Sequence, residues 1–243
     1  MKRLREIRRS ILTLAVVSLF GLGGLGLAPF LLFVPRRIAH ALVRGSWIFF
    51  VFLLDILCLI HVDRRNLPNI RGCVLVSNHP SLLDVVFYGA IIPRTLFVAK
   101  HSLRRNPFCA GPVRALSLPD EARLVQTAAP LLKKGWNILI FPEGTRSPGI
   151  DRLHPFKRGA AQVALFAQAP LICLAEHLSF RILGKDQPIT SVGDEMTHYS
   201  FSHLGTLNAT VKAGESVHAA AVRLTKTCEN MINDAVKSPS QAF

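Results

Sequence analysis

A histidine and an aspartate stand close together at the end of an apolar segment of the sequence. The run Val74–Val76 is followed by Asn78, His79 and Asp84. A short apolar run of this kind is typical of a buried strand, so we expect the imidazole at the end of a strand. Pro80 biases His79 away from helical backbone angles, which places Asp84 in the first turns of a following helix. The aspartate is then within reach of the imidazole.

These two side chains have the chemistry of a general base and its support. A carboxylate on one ring nitrogen fixes the tautomer of the imidazole, and the other nitrogen can take a proton from a hydroxyl group. The chain contains no Gly-x-Ser-x-Gly motif, so the reacting hydroxyl group is predicted to belong to the substrate. The alternative is that His79 caps a helix or fills a core position while Asp84 is a surface charge. The spacing alone favours this alternative.

A second apolar run ends in residues that suit an anion. Glu143, Gly144, Thr145 and Arg146 follow the predicted strand Ile138–Phe141. An arginine, a hydroxyl group and backbone amides exposed by a glycine can bind a phosphate on one turn. The sequence therefore predicts that this loop binds an anionic substrate and faces the loop of the histidine.

Two more cations, Lys157 and Arg158, follow in the sequence, and Lys157 is predicted to be a further substrate-binding residue. Glu143 would repel a phosphate, so it is predicted to hold the loop or to orient Arg146. A metal site is a weaker alternative, because no second carboxylate is close in sequence. Taken alone, the loop is also compatible with an ordinary solvated turn.

The elements that must position these loops alternate along the chain after residue 61. Short apolar runs alternate with helical patterns, which predicts an α/β fold with a central mixed sheet flanked by helices. The predicted strands are Cys73–Ser77, Thr95–Lys100, Ala115–Leu118, Ile138–Phe141 and Leu171–Ala175. The predicted helices are Pro80–Ala90, Asp120–Lys134, Gly159–Gln168 and a last helix that follows Gly214–Ser216 and ends near Val236. Residues 178–212 combine strand and loop signals.

The N-terminal part of the chain differs from the rest in composition. We predict that residues 1–60 form a membrane-anchoring helical segment and that residues 61–243 form the α/β domain. Residues 11–35 carry no charge and are long enough to cross a bilayer, whereas the apolar run 46–60 is short and contains Asp55.

The basic residues favour one arrangement of this anchor. A helical hairpin in one leaflet keeps Arg36, Arg37 and Arg44 on the same side as the basic N-terminus. A span followed by a return would place them outside, against the positive-inside tendency. We therefore predict a monotopic hairpin, with a single span as the alternative and with the active site on the cytoplasmic face of the membrane.

The net charge of the chain indicates what kind of partner it binds. The formal net charge is +14, and much of the surplus lies in residues 1–72 beside apolar segments, which favours anionic lipid headgroups. No nucleic-acid motif is present and aromatic residues are not interleaved with the basic run, so no nucleic acid is predicted as a partner.

The five cysteines are scattered, which predicts reduced, mostly buried thiols. A Gly-x-Gly-x-x-Gly match at residues 21–26 follows no strand and is not interpreted as a nucleotide site.

The two loops together resemble the motifs of the glycerolipid acyltransferase family. Asn-His-x4-Asp at Asn78, His79 and Asp84 is followed by Phe-Pro-Glu-Gly-Thr-Arg-Ser at Phe141–Ser147, and the likeness extends over about residues 60–180. The type members of the family are 1-acylglycerol-3-phosphate acyltransferases of phospholipid synthesis. The resemblance implies an α/β domain that lies on the membrane and transfers a fatty acyl group to a lysolipid acceptor.

The resemblance also implies roles for individual residues. His79 would be the general base and Asp84 its support. The acceptor would be bound by Glu143, Gly144, Thr145 and Arg146, and the motifs are completed by Asn78, Phe141, Pro142 and Ser147. Acyl-CoA or acyl-carrier protein would be the co-substrate, and no cofactor, metal or acyl-enzyme is implied.

Two segments depart from the pattern of the family. The block between the motifs, Gly111–Asp120, is shortened and lacks the expected arginine, for which Arg114 or Arg123 is a candidate substitute. In the later strand Pro170 matches the first of two prolines, but Cys173 stands at the second. We predict 1-acylglycerol-3-phosphate as the acceptor, giving phosphatidic acid, with a lyso-amino-acid lipid or a pathway-specific alcohol as the alternative. A non-catalytic membrane-binding scaffold is a weaker alternative, since the histidine and the aspartate are both present.

Overall fold

The structure is a computed structural model that describes residues 2–63, 67, 69–99, 107–119, 123–188 and 190–238. Two long helices come first, α1 (Lys2–Phe33) and α2 (Arg36–Ile56). Pro35 lies between them in an extended conformation, with φ −54° and ψ 144°. The proline ring fixes φ near this value, which allows the residue to precede the second helix.

The second helix is longer than the apolar run 46–60 predicted it to be. Its first half is amphipathic, and Ala39, Val43 and Trp47 are buried at helical spacing. The apolar run marked only the second half, because Arg36, Arg37 and Arg44 interrupt the first. The boundary between anchor and domain at residue 60 stays a prediction, although these buried residues share one core with the sheet.

Seven strands form one sheet. In chain order they are β1 (Ile60–Val62), β2 (Val74–Val76), β3 (Thr95–Ala99), β4 (Ser117–Pro119), β5 (Asn137–Ile140), β6 (Leu171–Leu178) and β7 (Thr197–Leu207). Their order across the sheet is β1-β7-β6-β2-β5-β3-β4. All neighbours are parallel except β6 and β7, which are antiparallel. The predicted mixed sheet is therefore confirmed.

Helices cover both faces of the sheet. The later helices are α3 (Asp84–Ile91), α4 (Pro107–Leu116), α5 (Leu124–Lys133), α6 (Gly159–Ala167) and α7 (Val217–Lys237). Apolar side chains of α2, α3 and α4 fill the core on one face, and those of α5, α6 and α7 fill the core on the other. Parallel strands require such cover because both of their faces are buried.

Several predicted boundaries were wrong, each for a local reason. The helix predicted from Pro80 begins at Asp84, because the side chains of Ser81 and Asp84 accept backbone N–H groups and hold residues 80–83 in a turn. The predicted strand Ala115–Leu118 is divided between the end of α4 and β4, since a short apolar run does not separate helix from strand.

Other differences concern extent. The helix predicted over Asp120–Lys134 is described from Leu124 to Lys133, and residues 120–122 lie outside the described residues, as does Lys100. Strand β6 continues to Leu178, and its partner β7 and the edge strand β1 had not been predicted. The last helix is confirmed, and its N-cap Ser216 accepts a hydrogen bond from the amide of Ala219.

The register of the central strands sets the position of the site. Val76 of β2 lies opposite Ile140 of β5 and Cys173 of β6, and all three strands run in the same direction. The segments that follow β2 and β5 therefore leave the sheet at the same edge. In parallel sheets this carboxyl edge is where ligands generally bind.

We expect Gly89→Ala to lower the free energy of unfolding by about 1–3 kcal/mol through overpacking. A Cβ atom at Gly89 of α3 would collide with the indole ring of Trp47 on α2. Trp47 is buried and stacks on Phe97, with ring centroids 6.1 Å apart, so the helices would have to separate. Denaturant unfolding in detergent micelles measures the change.

Gly45→Ala on α2 is the matched control, because a Cβ atom there meets nothing within 4 Å. Alanine is a better helix former than glycine, so this variant should be as stable as the parent or more stable by up to about 1 kcal/mol. Equal destabilisation by both changes would contradict the packing argument.

Candidate active site

The first loop is joined to the neighbouring strand by an asparagine side chain. Nδ2 of Asn78 donates to the carbonyl oxygen of Glu176 at 2.9 Å, and Oδ1 of Asn78 accepts from the amide of Glu176 at 2.8 Å. Asn78 is buried. One amide group therefore satisfies two backbone groups of β6 just beyond the end of β2, which fixes the backbone from which His79 projects.

The histidine and the aspartate make the contact that the sequence predicted. Nδ1 of His79 is 2.8 Å from Oδ2 of Asp84, which also accepts from the amide of Ser81 at 2.9 Å. The side chain of Asp84 is fully buried, whereas that of His79 is 16% exposed. Nε2 of His79 makes no hydrogen bond to any residue that the structure describes. The arrangement leaves a ring nitrogen available to a hydroxyl group from solution.

The two loops meet as predicted. The amide of His79 donates to Oγ of Ser147 at 3.1 Å, and the amide of Ser147 donates to the carbonyl oxygen of His79 at 2.7 Å. The imidazole also stacks on the ring of Phe141, with centroids 4.1 Å apart and an interplanar angle of 15°. The orientation of the imidazole is thus set by both loops.

Glu143 is the residue that ties the loops together. Its Oε1 accepts from the hydroxyl group of Ser147 and from the amide of His79 at 3.2 Å, and its Oε2 accepts from the amide of His154 at 2.8 Å. The residue is 4% exposed. These contacts support the predicted role of Glu143 in holding the loop, and its direct contact with a substrate stays a prediction.

A glycine and a lysine form one side of the second loop. Gly144 has φ +68°, and a Cβ atom there would lie 2.8 Å from Nζ of Lys157. The backbone of Lys157 is anchored by a hydrogen bond from its amide to the carbonyl oxygen of Pro142 at 2.9 Å. Backbone amides of this turn were predicted to bind a phosphate, but that of Gly144 donates to the carbonyl oxygen of Phe141. The ammonium group of Lys157 therefore offers one donor beside Gly144.

Arg146 attaches the second loop to the segment after β6. Nη1 of Arg146 donates to the carbonyl oxygens of Leu183 and Gly184 at 2.6 and 3.0 Å. Its Nε and Nη2 groups make no hydrogen bond to the described residues and are open to an anion. Thr145 beside it is partly exposed. Arg158, in contrast, lies against α7, with Nη1 2.9 Å from Nε2 of His218.

Arg181 is a structural residue that had not been predicted. Its Nη2 donates to the carbonyl oxygen of Ser147 at 2.6 Å, its Nη1 to that of Pro148 at 2.9 Å and its Nε to that of Pro80 at 3.4 Å. One guanidinium group therefore holds both loops. The residue lies in the stretch 178–212, where mixed local signals hid its partners.

Glu176 was also missed. It is fully buried on β6, and its pKa is raised well above the ordinary value by burial and by the neighbouring charge of Asp84. The sequence carried one signal, since Glu176 is the acidic residue in the otherwise largely apolar strand Leu171–Leu178. A buried acid beside a candidate base is a feature of functional sites.

The two departures in sequence pack against helices. Cys173 faces the core of α7, where its Sγ is 2.8 Å from that of Cys228, and both are free thiols. A Cβ atom at Gly111 would lie 2.9 Å from Cα of Ala28 on α1. Among the described residues, no group of three His, Cys, Asp or Glu side chains could hold a metal ion.

Comparison with known proteins finds similar acyltransferases. Residues 59–176 match the family model described as Acyltransferase. The chain is similar to the 1-acyl-sn-glycerol-3-phosphate acyltransferase of Pseudomonas aeruginosa, with 29% identity over 72% of this chain and 71% of the relative. It is also similar to the human 1-acyl-sn-glycerol-3-phosphate acyltransferase beta, with 32% identity over 45% of this chain and 43% of the relative.

A solved structure has the same fold. The crystal structure of the 1-acyl-sn-glycerophosphate (LPA) acyltransferase from Thermotoga maritima superposes with a TM-score of 0.72 at 21% identity, over 100% of this chain and 99% of that one. The matched residues 59–176 contain both loops of the site. Residues 59–176 therefore form an Acyltransferase domain, similar in sequence and in fold to 1-acyl-sn-glycerol-3-phosphate acyltransferases.

Proposed function

We propose that this enzyme is a membrane-associated O-acyltransferase that acylates a lysolipid, with 1-acylglycerol-3-phosphate as acceptor and phosphatidic acid as product. The observation that carries the proposal is the imidazole of His79, which has Nδ1 on a buried carboxylate and Nε2 open to solution. The cations of Arg146 and Lys157 stand on the adjoining loop. A base beside an anion site suits an acceptor that carries both a hydroxyl group and a phosphate.

The reaction would proceed through one tetrahedral intermediate. Nε2 of His79 takes the proton of the acceptor hydroxyl group as the oxygen attacks the carbonyl carbon of the acyl thioester. The intermediate collapses with cleavage of the carbon–sulfur bond, and the imidazolium returns its proton to the leaving thiolate. Asp84 stabilises the imidazolium in between. Acyl-CoA or acyl-carrier protein supplies the thioester.

The identity of the acceptor is supported by the similar proteins, whose names specify 1-acyl-sn-glycerol-3-phosphate. The sequence departures at Gly111 and Cys173 pack against α1 and α7, so neither supports a different acceptor. Of the two candidate arginines, Arg123 follows β4 at the carboxyl edge that carries the loops, whereas Arg114 precedes β4. We favour Arg123 as the additional acceptor-binding residue.

The membrane would be contacted by residues 1–60. By length and composition, helices α1 and α2 contain segments that could cross a bilayer. Large apolar side chains on both are exposed, including Leu19, Phe30 and Phe52.

Contacts at the two ends of α1 support the hairpin over a span. Near its start, Arg9 donates to the carbonyl oxygens of Cys58 and Leu59 at 2.6 and 2.9 Å. Near its end, Ala28 packs on Gly111. The helix therefore lies along the domain, and its outer face would enter one leaflet on the cytoplasmic side.

An acyl-transfer assay in liposomes tests the proposal. The purified protein is given a long-chain acyl-CoA or acyl-carrier protein, together with a panel of lysolipid acceptors. We expect phosphatidic acid from 1-acylglycerol-3-phosphate. Product from another acceptor alone would replace the proposed substrate, and no product from any donor and acceptor would favour a non-catalytic scaffold.

In the same assay, Arg146→Met should raise the KM for the acceptor by about tenfold or more and change kcat less. A charge-assisted bond to a phosphate contributes to binding in the ground state and in the transition state alike. Arg152→Met is the matched control, because Arg152 belongs to the same region and its side chain is 73% exposed. An unchanged KM in the Arg146 variant would contradict its role as a phosphate ligand.

A further inference from the structure

The side chain of Glu176 faces the buried side of the histidine loop. Along β6, Ile172 and Leu174 point into the core that contains α2 and α3, whereas Cys173 and Ala175 point into the opposite core. Because side chains alternate along a strand, Glu176 shares the face of Ile172 and Leu174. This is the face over which α3 begins, and Asp84 is the first residue of α3.

The backbone of Glu176 is fixed in this position. Both its amide and its carbonyl group are bonded to the side chain of Asn78, at 2.8 and 2.9 Å. Asn78 precedes His79 directly, so the distance between Glu176 and the loop of the base is set by two hydrogen bonds. Strand β6 is paired with β2 over residues 171–173 and with β7 along its whole length, where Glu176 lies opposite Phe201.

Three buried carboxyl oxygen atoms in this region have unsatisfied hydrogen-bonding capacity. Among the described residues, neither oxygen of Glu176 has a hydrogen-bond partner, and neither does Oδ1 of Asp84. Glu176 and Asp84 are both 0% exposed. Buried polar atoms are normally paired, because an unpaired one costs the free energy of its lost hydration. A proton on one carboxyl group allows it to donate a hydrogen bond to an unpaired oxygen of the other.

The other titratable groups against Glu176 do not supply a positive charge. They are Asp84 and Tyr88 on α3 and Tyr199 on β7. Burial raises the pKa of Tyr88 and of Tyr199 well above the ordinary value, so both phenols stay neutral. Burial, together with the charge of Asp84, likewise raises the pKa of Glu176. Two adjacent carboxylates without a cation would repel each other at this depth.

We propose that Glu176 is a protonated carboxylic acid that donates its proton to Oδ1 of Asp84 and thereby positions the Asp84 carboxylate for His79. The chain of contacts runs from Glu176 to Asp84 and then from Asp84 Oδ2 to His79 Nδ1. Glu176 is a positioning residue, since it acts through Asp84 and lies behind it. This inference rests on the proposed function, in which His79 is the base.

Two substitutions separate the hydrogen bond from the charge. Glu176→Gln keeps a neutral donor of the same shape, and we expect a kcat within about twofold of the parent. Glu176→Met keeps the length but has no donor, so kcat should fall about tenfold while the KM for the acceptor changes little. An equal loss in both variants, or no loss in either, would overturn the proposal.

The pH dependence of kcat/KM distinguishes a change in charge from a packing defect, because a packing defect would not shift its midpoint. A neutral Glu176 contributes no charge, so Glu176→Gln should leave the acid-side midpoint of kcat/KM where it is in the parent. If the residue were ionised, its replacement by glutamine would remove a negative charge near the imidazole and shift that midpoint to lower pH. Such a shift would refute a protonated Glu176.

Infrared spectroscopy tests the protonation state without any activity. The parent should show the carbonyl stretching band of a buried protonated carboxylic acid at neutral pH, and the band should be absent from Glu176→Gln. A difference spectrum without that band would rule the proposal out. Ser200→Ala is the matched control for packing, because Ser200 lies on the adjacent strand β7 and its buried hydroxyl group has no partner among the described residues.

These outcomes keep the two proposals distinct. If His79→Ala is inactive but Glu176→Met has full kcat, the positioning role fails and the proposed function stands. If His79→Ala has full activity, the proposed mechanism fails, and the infrared band still decides whether Glu176 carries a proton.

Discussion

Replacing His79 by alanine should lower kcat for acyl transfer by about a thousandfold, because the acceptor hydroxyl group loses its base. The KM for the acceptor should change little, since the cations that would bind its phosphate are on the other loop. The acyl-transfer assay with saturating thioester measures both constants. The stability of the variant should be close to that of the parent, as the backbone groups of residue 79 keep their bonds to Ser147.

The control for this prediction is His203→Ala. His203 is an exposed histidine on β7, and its Nε2 lies near Oγ1 of Thr206. It should keep the full kcat. If His79→Ala keeps more than about a tenth of the parent activity while it remains folded, general-base catalysis by His79 is refuted.

Glu143→Gln should lower the free energy of unfolding by about 2–4 kcal/mol and reduce activity with it. The carboxylate accepts from three donors, which are the hydroxyl group of Ser147 and the amides of His79 and His154. Glutamine has one oxygen and must turn its NH₂ group toward a donor on one side. The NH₂ group of the glutamine would then face another donor in a buried site. This repulsion would separate the two loops that orient the imidazole of His79.

Denaturant unfolding in detergent and the acyl-transfer assay measure the two effects. Glu229→Gln is the control, since Glu229 forms a surface ion pair with Lys226 at 3.4 Å, and such pairs contribute little to stability. A Glu143→Gln variant with unchanged stability would show that the three hydrogen bonds are not needed to hold the loops. Lost activity with unchanged stability would instead indicate that Glu143 touches the substrate.

The parts of the site that could be predicted lie within a few residues of a strand end. His79 and Asp84 are five residues apart, and Glu143 to Arg146 follow one strand directly. Local patterns are sufficient for such features, because an apolar run that ends in polar residues marks both the strand and its edge. Boundaries were less accurate, as α3 shows: side chains of Ser81 and Asp84 satisfy backbone groups that a helix would have used.

By itself, the sequence predicted the contact between His79 and Asp84, the meeting of the two loops and the α/β class with two apolar helices before it. Only the tertiary structure showed the contacts between segments far apart in the chain. Asn78 and Glu176 are 98 residues apart, and Arg181 reaches Pro80 across 101 residues. Such contacts depend on the order and register of the strands, which no local pattern encodes. For the same physical reason, the buried carboxyl group behind Asp84 appeared only when β6 was placed beside β2.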